Sequence, residues 1–359
     1  MDNSIMEDGL KLPYDDIKSL TKEELIKLIG ALGEKKFRAE QVYDWIHKKL
    51  VTDYDDMKNV PKLLKEKLAN ISPITTVTQV DKQVSAIDGT AKYLFKLSDG
   101  NLIESVLMRY RFGNSVCISS QAGCRMGCRF CASTLNGLSR SLIPSEMLDQ
   151  IYRIQSDTGE RVSHVVIMGT GEPFDNYDNV RRFVTLLTDE NGINIGARNL
   201  TISTCGIVPR IRQFADEQLQ VNLAISLHAP NDELRKTLMP VANKYSIEEL
   251  IDACRYYVNK TSRRITYEYS LVKGVNDGRE QAMELISLIK GMNCHVNLIP
   301  VNPIKERDFK QTEGAQVSNF KNLLEKNGIA CTIRREMGRD IDGACGQLRK
   351  SHLDEDNAM

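Results

Sequence analysis

A repeated alternation of strand-like and helix-like segments after Gly113 is the feature that most restricts how this chain can fold. The strand patterns read SVCISS, HVVIMG, NLTIST, VNLAIS, ITYEYSLV and HVNLIPV, with ACTIRR near the end. Helical patterns such as SEMLDQIYRIQ, VRRFVTLL, REQAMELISLIKGM and VSNFKNLLEKNG lie between them. Repeated βα units form parallel sheets. The alternation therefore predicts an α/β fold, either an open doubly wound sheet or a closed or partial barrel.

Polar residues and glycines gather where these strands end. GTGEP follows HVVIM, STCG follows NLTI, SLH follows VNLAI, and the cysteine-rich CRMGCRFC follows SVCISS. In β/α barrels the reacting groups lie on the loops after the carboxyl ends of the strands. One mouth of the predicted fold thus collects the unusual residues, which indicates an enzyme.

The part of the chain before Gly113 follows other patterns. Residues 15–72 are rich in Lys and Glu and predict helices, the first with a capping box at Thr21 and Glu24. Residues 76–112 predict short strands joined by turns at Asp88-Gly89 and Asp99-Gly100. We therefore expect a helical appendage and a β-hairpin extension ahead of the α/β core.

Composition limits the cellular setting. The 359 residues carry 48 Lys and Arg against 48 Asp and Glu, and this zero net charge counts mildly against a nucleic-acid binder without excluding local basic patches. No apolar run is long enough for a membrane span, and the acidic N-terminus has no apolar core of a secretory signal. We expect a cytoplasmic protein. Because the cytosol is reducing, we expect the nine cysteines to be core residues, ligands or reactive thiols rather than a disulfide framework.

The segment CRMGCRFC places Cys124, Cys128 and Cys131 at metal-ligand spacing. A structural zinc or a four-iron cluster normally takes four protein ligands, and no distal CxxC or HxxxH pair supplies the fourth. The spacing alone leaves a zinc loop and an iron–sulfur centre open. GTGEP superficially matches a dinucleotide-binding loop, but Phe174 replaces its third glycine and Pro173 would interrupt the helix start, so we reject that interpretation.

The CxxxCxxC spacing, with Phe130 before the last cysteine, resembles the radical S-adenosylmethionine (SAM) enzymes. Six motifs in order narrow the match: CISSQAGCRMGCRFCAS, IMGTGEP, TISTCGIVP, VNLAISLHAPND, HVNLIPVNP and TIRREMGRDIDGACGQL together resemble the RlmN/Cfr family of RNA adenine methyltransferases. The resemblance implies a partial (β/α)6 TIM-like radical SAM barrel. It divides the chain into a helical accessory domain (1–72), a β-hairpin extension (73–109), the core barrel (110–340) and a mobile tail (341–359).

The resemblance also implies the cofactors. In this family three cysteines hold a [4Fe-4S] cluster, here Cys124, Cys128 and Cys131, and SAM chelates the open fourth iron site and yields a 5′-deoxyadenosyl radical. Two molecules of SAM are consumed per turnover. The residues that match the SAM-binding positions are Gly171, Glu172, Ser203, Ser226, Leu227, His228 and Asn302.

Three further residues match catalytic positions of the family. Cys345 in GACGQL matches the cysteine that first accepts a methyl group, Cys117 matches the cysteine that releases the product through a transient disulfide with it, and Glu104 matches the proton acceptor. The other four cysteines are expected to pack in the core or at the surface, including Cys205 in the STCG loop.

The resemblance implies RNA partners: an adenine of 23S ribosomal RNA near the peptidyl transferase centre, methylated at C2, and the adenine 3′ of the anticodon in some tRNAs. It further implies an electron donor such as flavodoxin, and we expect a monomer. The basic residues available for phosphates are Lys35, Lys36, Arg38, Lys48, Lys49, Arg109, Arg111, Arg125, Arg129, Arg334 and Arg335.

Three alternatives stay open from the sequence. The first is methylation at C8 of the same adenine, although GEP and LIPVNP resemble the C2-methylating branch more closely. The second is a radical SAM enzyme that acts on a protein or a small molecule, against which the tail cysteine argues. The third is a zinc or iron–sulfur module that binds nucleic acid without catalysis.

Overall fold

A computed structural model describes residues 11–302, residues 308–341 and Leu348. Its strands are β1 Thr78–Val84, β2 Ala91–Lys96, β3 Leu102–Tyr110, β4 Gly113–Ile118, β5 Gln121–Gly123, β6 Leu138–Ser141, β7 Val162–Ile167, β8 Leu200–Thr204, β9 Asn222–Ser226, β10 Ile265–Leu271, β11 Cys294–Pro300 and β12 Ala330–Ile333. Its helices are α1 Lys22–Ala31, α2 Lys36–His47, α3 Lys62–Ile71, α4 Pro144–Thr158, α5 Tyr177–Thr188, α6 Val208–Asp216, α7 Asp232–Leu238, α8 Ile247–Thr261, α9 Arg279–Ile289 and α10 Gly314–Lys326.

One sheet organises the described part of the chain. Its strand order is β1-β2-β3-β4-β7-β8-β9-β10-β11-β12, antiparallel from β1 to β4 and parallel from β4 onward. Six βα units lead from β4 to the final strand β12. The end strands β1 and β12 are not paired with each other, so the barrel is open. This confirms the predicted partial α/β barrel and its β extension.

The two faces of the sheet carry different kinds of side chain. Val116 and Ile118 of β4 belong to the hydrophobic core that α4 and the other barrel helices cover. Because side chains alternate along a strand, the intervening Cys117 points to the opposite face. We call this opposite face, which also carries Glu268 of β10 and Asn297 of β11, the inner face. It is the face on which polar groups gather.

The helical appendage formed as expected and has its own apolar core, built on residues such as Leu28, Val42 and Leu64. The predicted capping box is present, since Thr21 Oγ1 accepts from the Glu24 amide and the Glu24 carboxylate accepts from the Thr21 amide.

Polar contacts hold the appendage against the barrel. Lys18 Nζ lies 2.6 Å from Asp149 Oδ1 on α4, and both side chains are fully buried. Tyr43 donates a 2.7 Å hydrogen bond to Asp189, and Arg182 forms a 2.8 Å ion pair with Glu24. Buried pairs of this kind fix one arrangement, because either partner alone would be a buried, uncompensated charge.

Within the described ranges, no helix combines the length and the apolar character that a bilayer span requires.

Candidate active site

The cysteine loop begins directly after β5 and wraps into a short 3-10 helix at Ala132–Thr134. Gly127 takes a left-handed φ of +70°, a conformation that favours glycine, at the tightest point of the loop. Thr134 Oγ1 donates to the carbonyls of Cys128 and Cys131 at 3.1 and 2.9 Å, which fixes the backbone that presents both thiols. The loop is therefore preformed by its own hydrogen bonds.

The thiols of Cys124, Cys128 and Cys131 are the candidate metal ligands of this loop. Burial raises the pKa of the Cys124 thiol to about 12. Thiolate ligation at neutral pH thus requires the charge of a bound metal centre.

A cavity of about 250 Å³ opens beside this loop at the carboxyl ends of the parallel strands. It is lined by all three predicted cluster ligands and by six of the seven predicted SAM-binding residues, Gly171, Glu172, Ser203, Ser226, His228 and Asn302. The seventh, Leu227, does not line it, because its side chain packs in the main hydrophobic core. Its amide donates to the Glu268 carbonyl at 3.0 Å, and its carbonyl accepts from Arg235 Nε at 3.2 Å.

Gly171 allows two strand ends to approach closely. Its φ is +110°, and a Cβ atom there would lie 2.6 Å from Gln121 Cβ and 2.8 Å from Ser120 Oγ. Both distances are too short for real contacts, so any side chain would displace the loop after β4. A backbone surface without a side chain is also what a closely bound ligand needs.

The carboxylate of Glu172 ties two of the strand-end loops together. One oxygen accepts from the Phe174 amide at 2.9 Å and the other from the Cys205 amide at 2.7 Å. Burial raises the pKa of this carboxyl group, while the amide hydrogen bonds oppose that rise. The carboxylate therefore positions the GTGEP and STCG loops in addition to facing the cavity.

His228 has one defined protonation state. Its Nδ1 accepts a 2.9 Å hydrogen bond from the Ser270 amide, so Nδ1 carries no proton and the neutral ring carries its proton on Nε2. Burial lowers the pKa of His228 to about 3. The edge of Phe130, from the cysteine loop, meets the ring with centroids 4.7 Å apart. His228 is thus a neutral hydrogen-bond donor at the cavity wall.

Glu268 and Ser270 are polar cavity residues that the sequence analysis did not name. Glu268 is buried, which raises the pKa of its carboxyl group, and it accepts a 2.9 Å hydrogen bond from Asn297. Ser270 follows it by two positions and lines the same cavity. Their alternation within ITYEYSLV, polar residues between buried tyrosines, was the available signal.

A second group of polar residues lies on the inner face of the extension and of β4. Lys92, Glu104 and Cys117 share this face, because Lys92 and Cys117 both pair with Val106, two residues from Glu104. Leu348 packs against Leu94 and Leu102, whose side chains belong to the same alternating set. Cys345 lies outside the described residues.

Several of the basic residues expected to meet phosphates already have acidic partners. Arg109 forms hydrogen bonds of 2.7–3.0 Å with the Glu160 carboxylate, and Arg125 pairs with Asp175. Lys48 and Lys49 lie within 3.6 and 3.3 Å of Asp44. Lys35 and Lys36 are exposed at the start of α2.

Comparison with known proteins agrees with this site. Residues 118–286 match the family model of the radical SAM superfamily, and residues 16–74 match that of the ribosomal RNA large subunit methyltransferase N-terminal domain. A radical SAM methyltransferase structure from Sphaerobacter thermophilus superposes with a TM-score of 0.89 at 45% identity, covering 92% of this chain and 98% of that one. The fold and the cavity are therefore those of the radical SAM enzymes.

Relatives in sequence are more specific. A probable dual-specificity RNA methyltransferase RlmN from Lachnospira eligens is 66% identical over 95% of this chain and 97% of its own length. One of the same name from Lachnoclostridium phytofermentans is 60% identical over 95% and 96%. The chain belongs to this family of RlmN radical SAM RNA methyltransferases. Membership removes the support for a non-catalytic metal module and for a radical SAM enzyme with a substrate other than RNA.

Proposed function

We propose that this enzyme methylates C2 of an adenine in 23S ribosomal RNA and of the adenine 3′ of the anticodon in some tRNAs, by way of a methyl group carried on Cys345. The observation that carries this proposal is the position of Leu348, which packs on the face that holds Cys117 and Glu104. Cys345 precedes Leu348 by three residues, and three residues of extended chain span at most about 11 Å. This short chain separation supports the proposed pairing of Cys345 with Cys117.

The described residues fit the cofactors that the superfamily implies. Three loop cysteines line the cavity and suit the three cluster ligands, and Gly171 presents backbone without a side chain to the same cavity. When bound, the cluster and SAM supply the radical chemistry that an unactivated aromatic carbon requires. We assign Ser203, Ser226, His228 and Asn302 to SAM contacts through hydroxyl, imidazole and amide groups, with Leu227 contributing its backbone alone.

The protein residues divide the remaining chemistry. For the S-methyl carbon of Cys345 to bond to adenine C2, the methyl group would lose one hydrogen atom to the radical that bound SAM supplies. Glu104 would then accept the proton that C2 loses, and one electron would return to the cluster. Cys117 then attacks the sulfur of Cys345: a disulfide forms, the sulfur–carbon bond breaks, and the released carbon takes a proton to become the methyl product. Reduction of the disulfide by an external thiol completes the cycle.

The wider assignments belong to the same proposal. These are the division at residues 72, 109 and 340, a monomeric state, a flavodoxin-like electron donor and a cytoplasmic location. Lys35 and Lys36 are the best candidates for phosphate contacts on the helical domain, because both are exposed and no ion pair joins them within the described residues. A target base would have to leave its stack to reach the cavity, at a cost of a few kcal/mol.

Mass spectrometry of the modified nucleoside tests the regiochemistry. The enzyme is incubated anaerobically with SAM, a reductant and a 23S ribosomal RNA fragment, and the digest is compared with 2-methyladenosine and 8-methyladenosine standards. The proposal predicts 2-methyladenosine. The 8-methyl product alone would assign the chain to C8 chemistry instead.

A further inference from the structure

Arg235 on α7 is a buried arginine to which the proposed function assigns no role. Its side chain is fully buried. The guanidinium donates to three main-chain carbonyls: Nη2 to Cys205 at 2.6 Å and to Ser226 at 3.4 Å, and Nε to Leu227 at 3.2 Å. It thereby joins the ends of β8 and β9, the two strands whose loops line the cavity.

The charge of this guanidinium has no acidic partner within ion-pairing distance in the described ranges. Its Nη1 is buried and has no hydrogen-bond acceptor there. Asp232, the acidic residue that interacts with it electrostatically, accepts instead from the Ile247 amide at 2.9 Å. A buried cation that is bound only by neutral carbonyls is costly, and such charges normally face a compensating negative charge.

The electrostatic neighbours of Arg235 indicate where that negative charge lies. Its Nη2 donates to the Cys205 carbonyl at 2.6 Å, and Cys205 packs in one cluster of buried residues with Cys128, a proposed cluster ligand. A four-iron cluster held by three thiolates is anionic, and it becomes more negative when it takes up an electron. The absent partner of Arg235 thus matches the chemistry of the cluster site.

We propose that Arg235 is the charge complement of the iron–sulfur cluster, a positioning residue that holds the STCG and SLH loops by their carbonyls and raises the reduction potential of the cluster. A buried cation stabilises the reduced cluster more than the oxidised one, since attraction grows with the added negative charge and is weakly screened in the interior. Radical formation begins with this reduction, so the arginine eases the entry of the electron. The inference rests on the proposed function of the cysteine loop.

The test compares Arg235→Gln with Arg235→Lys in anaerobically reconstituted, SAM-free full-length enzyme. The cluster is titrated with dithionite and its reduced form is followed by electron paramagnetic resonance. For Arg235→Gln the ratio of reduced to oxidised cluster at the wild-type midpoint should fall at least tenfold, about 59 mV for a one-electron couple. Arg235→Lys keeps the charge, and its ratio should stay within about threefold of wild type.

Arg212→Gln is the matched control, because it removes the same charge from a partly exposed position on α6. Its midpoint should equal that of the wild type. A folded Arg235→Gln enzyme with the wild-type midpoint would overturn the inference, and so would an Arg235→Lys enzyme whose midpoint falls tenfold. If the glutamine variant does not fold, the lysine variant decides by this same criterion. A wild-type enzyme that binds no cluster would overturn the proposed function itself.

Discussion

Lys92 Nζ lies 3.2 Å from Glu104 Oε2, and both side chains are buried on the inner face of the β extension. This ion pair places the proposed proton acceptor beside the Lys92 ammonium, on the same face as Cys117. Each charge of the buried pair compensates the other.

Glu104→Gln should abolish methyl transfer to RNA while leaving the reductive cleavage of SAM intact. The amide cannot accept a proton, whereas cluster and cavity residues are unchanged. The loss should also destabilise the fold by about 3 kcal/mol, because it removes one charge of a buried ion pair. Chemical denaturation and a product assay measure the two effects. Adding Lys92→Met should restore stability without restoring methylation; a methylating single variant would refute the role of Glu104.

Gly171→Ala should prevent SAM binding in a protein that still assembles its cluster. The added Cβ meets Gln121 and Ser120 at 2.6–2.8 Å and has to sit at a φ of +110°. Isothermal titration of the reconstituted enzyme with SAM should show at least a tenfold loss of affinity. Gly30→Ala in α1 is the control, since nothing lies within 4 Å of its added Cβ, and it should stabilise by up to about 1 kcal/mol. Equal SAM affinity in the two variants would contradict the role of Gly171 as a position at the SAM cavity that tolerates no side chain.

Stability should fall as the pH drops from about 6.5 toward 3, because His47 and His228 are buried in their neutral forms. Burial, together with the nearby Lys18 cation for His47 and the Arg235 cation for His228, lowers the pKa of each to about 3. In this window the unfolded chain binds more protons than the folded one, so unfolding is favoured by up to about 1.36 kcal/mol per pH unit for each histidine.

Denaturation of wild type and His47→Gln over this pH range measures the effect. His47 hydrogen-bonds Tyr152 at the joint between appendage and barrel, so its replacement lowers stability at pH 7 as well. The informative quantity is the slope of the free energy of unfolding against pH. In His47→Gln this slope should be smaller by the contribution of one histidine, up to about 1.36 kcal/mol per pH unit. An unchanged slope would show that His47 does not stay neutral.

Reversing the charge of Lys35 and Lys36 together should weaken RNA binding without changing cluster content. Both are exposed at the start of α2, and each lost phosphate contact should flatten the dependence of log K on log salt by about 0.7–0.9. Lys290→Glu, exposed at the end of α9, is the control. Filter binding at several salt concentrations measures the RNA affinity of the double variant and of the control. Identical salt dependence in wild type and the double variant would remove this patch from the RNA interface.

Much of the fold was predictable because its patterns are local. The strands of the parallel sheet and the capping box at Thr21 and Glu24 appear where alternation and capping rules place them. Helix α8 was not named in advance, although Ser246 and Glu249 form the same capping box ahead of it. This capping box would have been enough to predict the start of α8 from the sequence. Helices α6 and α7 are short, with nine and seven residues, so their periodicity is weak.

The motif resemblance named candidate residues for the site, but the contacts that support them could not be predicted. Six of the seven residues assigned to SAM line the cavity, whereas the side chain of Leu227 packs in the core, and the SAM contacts of all seven stay predictions. The ion pair of Lys92 with Glu104 and the carbonyl contacts of Arg235 depend on chain segments that meet only after folding. Contacts between residues that are distant in sequence cannot be predicted from the spacing of residues within one motif.

The most direct test of the central claim is a trapping experiment with Cys117→Ala. The variant is incubated anaerobically with SAM, a reductant and substrate RNA, then analysed on a denaturing gel and by mass spectrometry. Without the thiol that attacks the sulfur of Cys345, a covalent protein–RNA adduct should accumulate through that residue. The double variant Cys117→Ala/Cys345→Ala should form none. Free methylated RNA released by Cys117→Ala at the wild-type rate, with no adduct, would contradict the account.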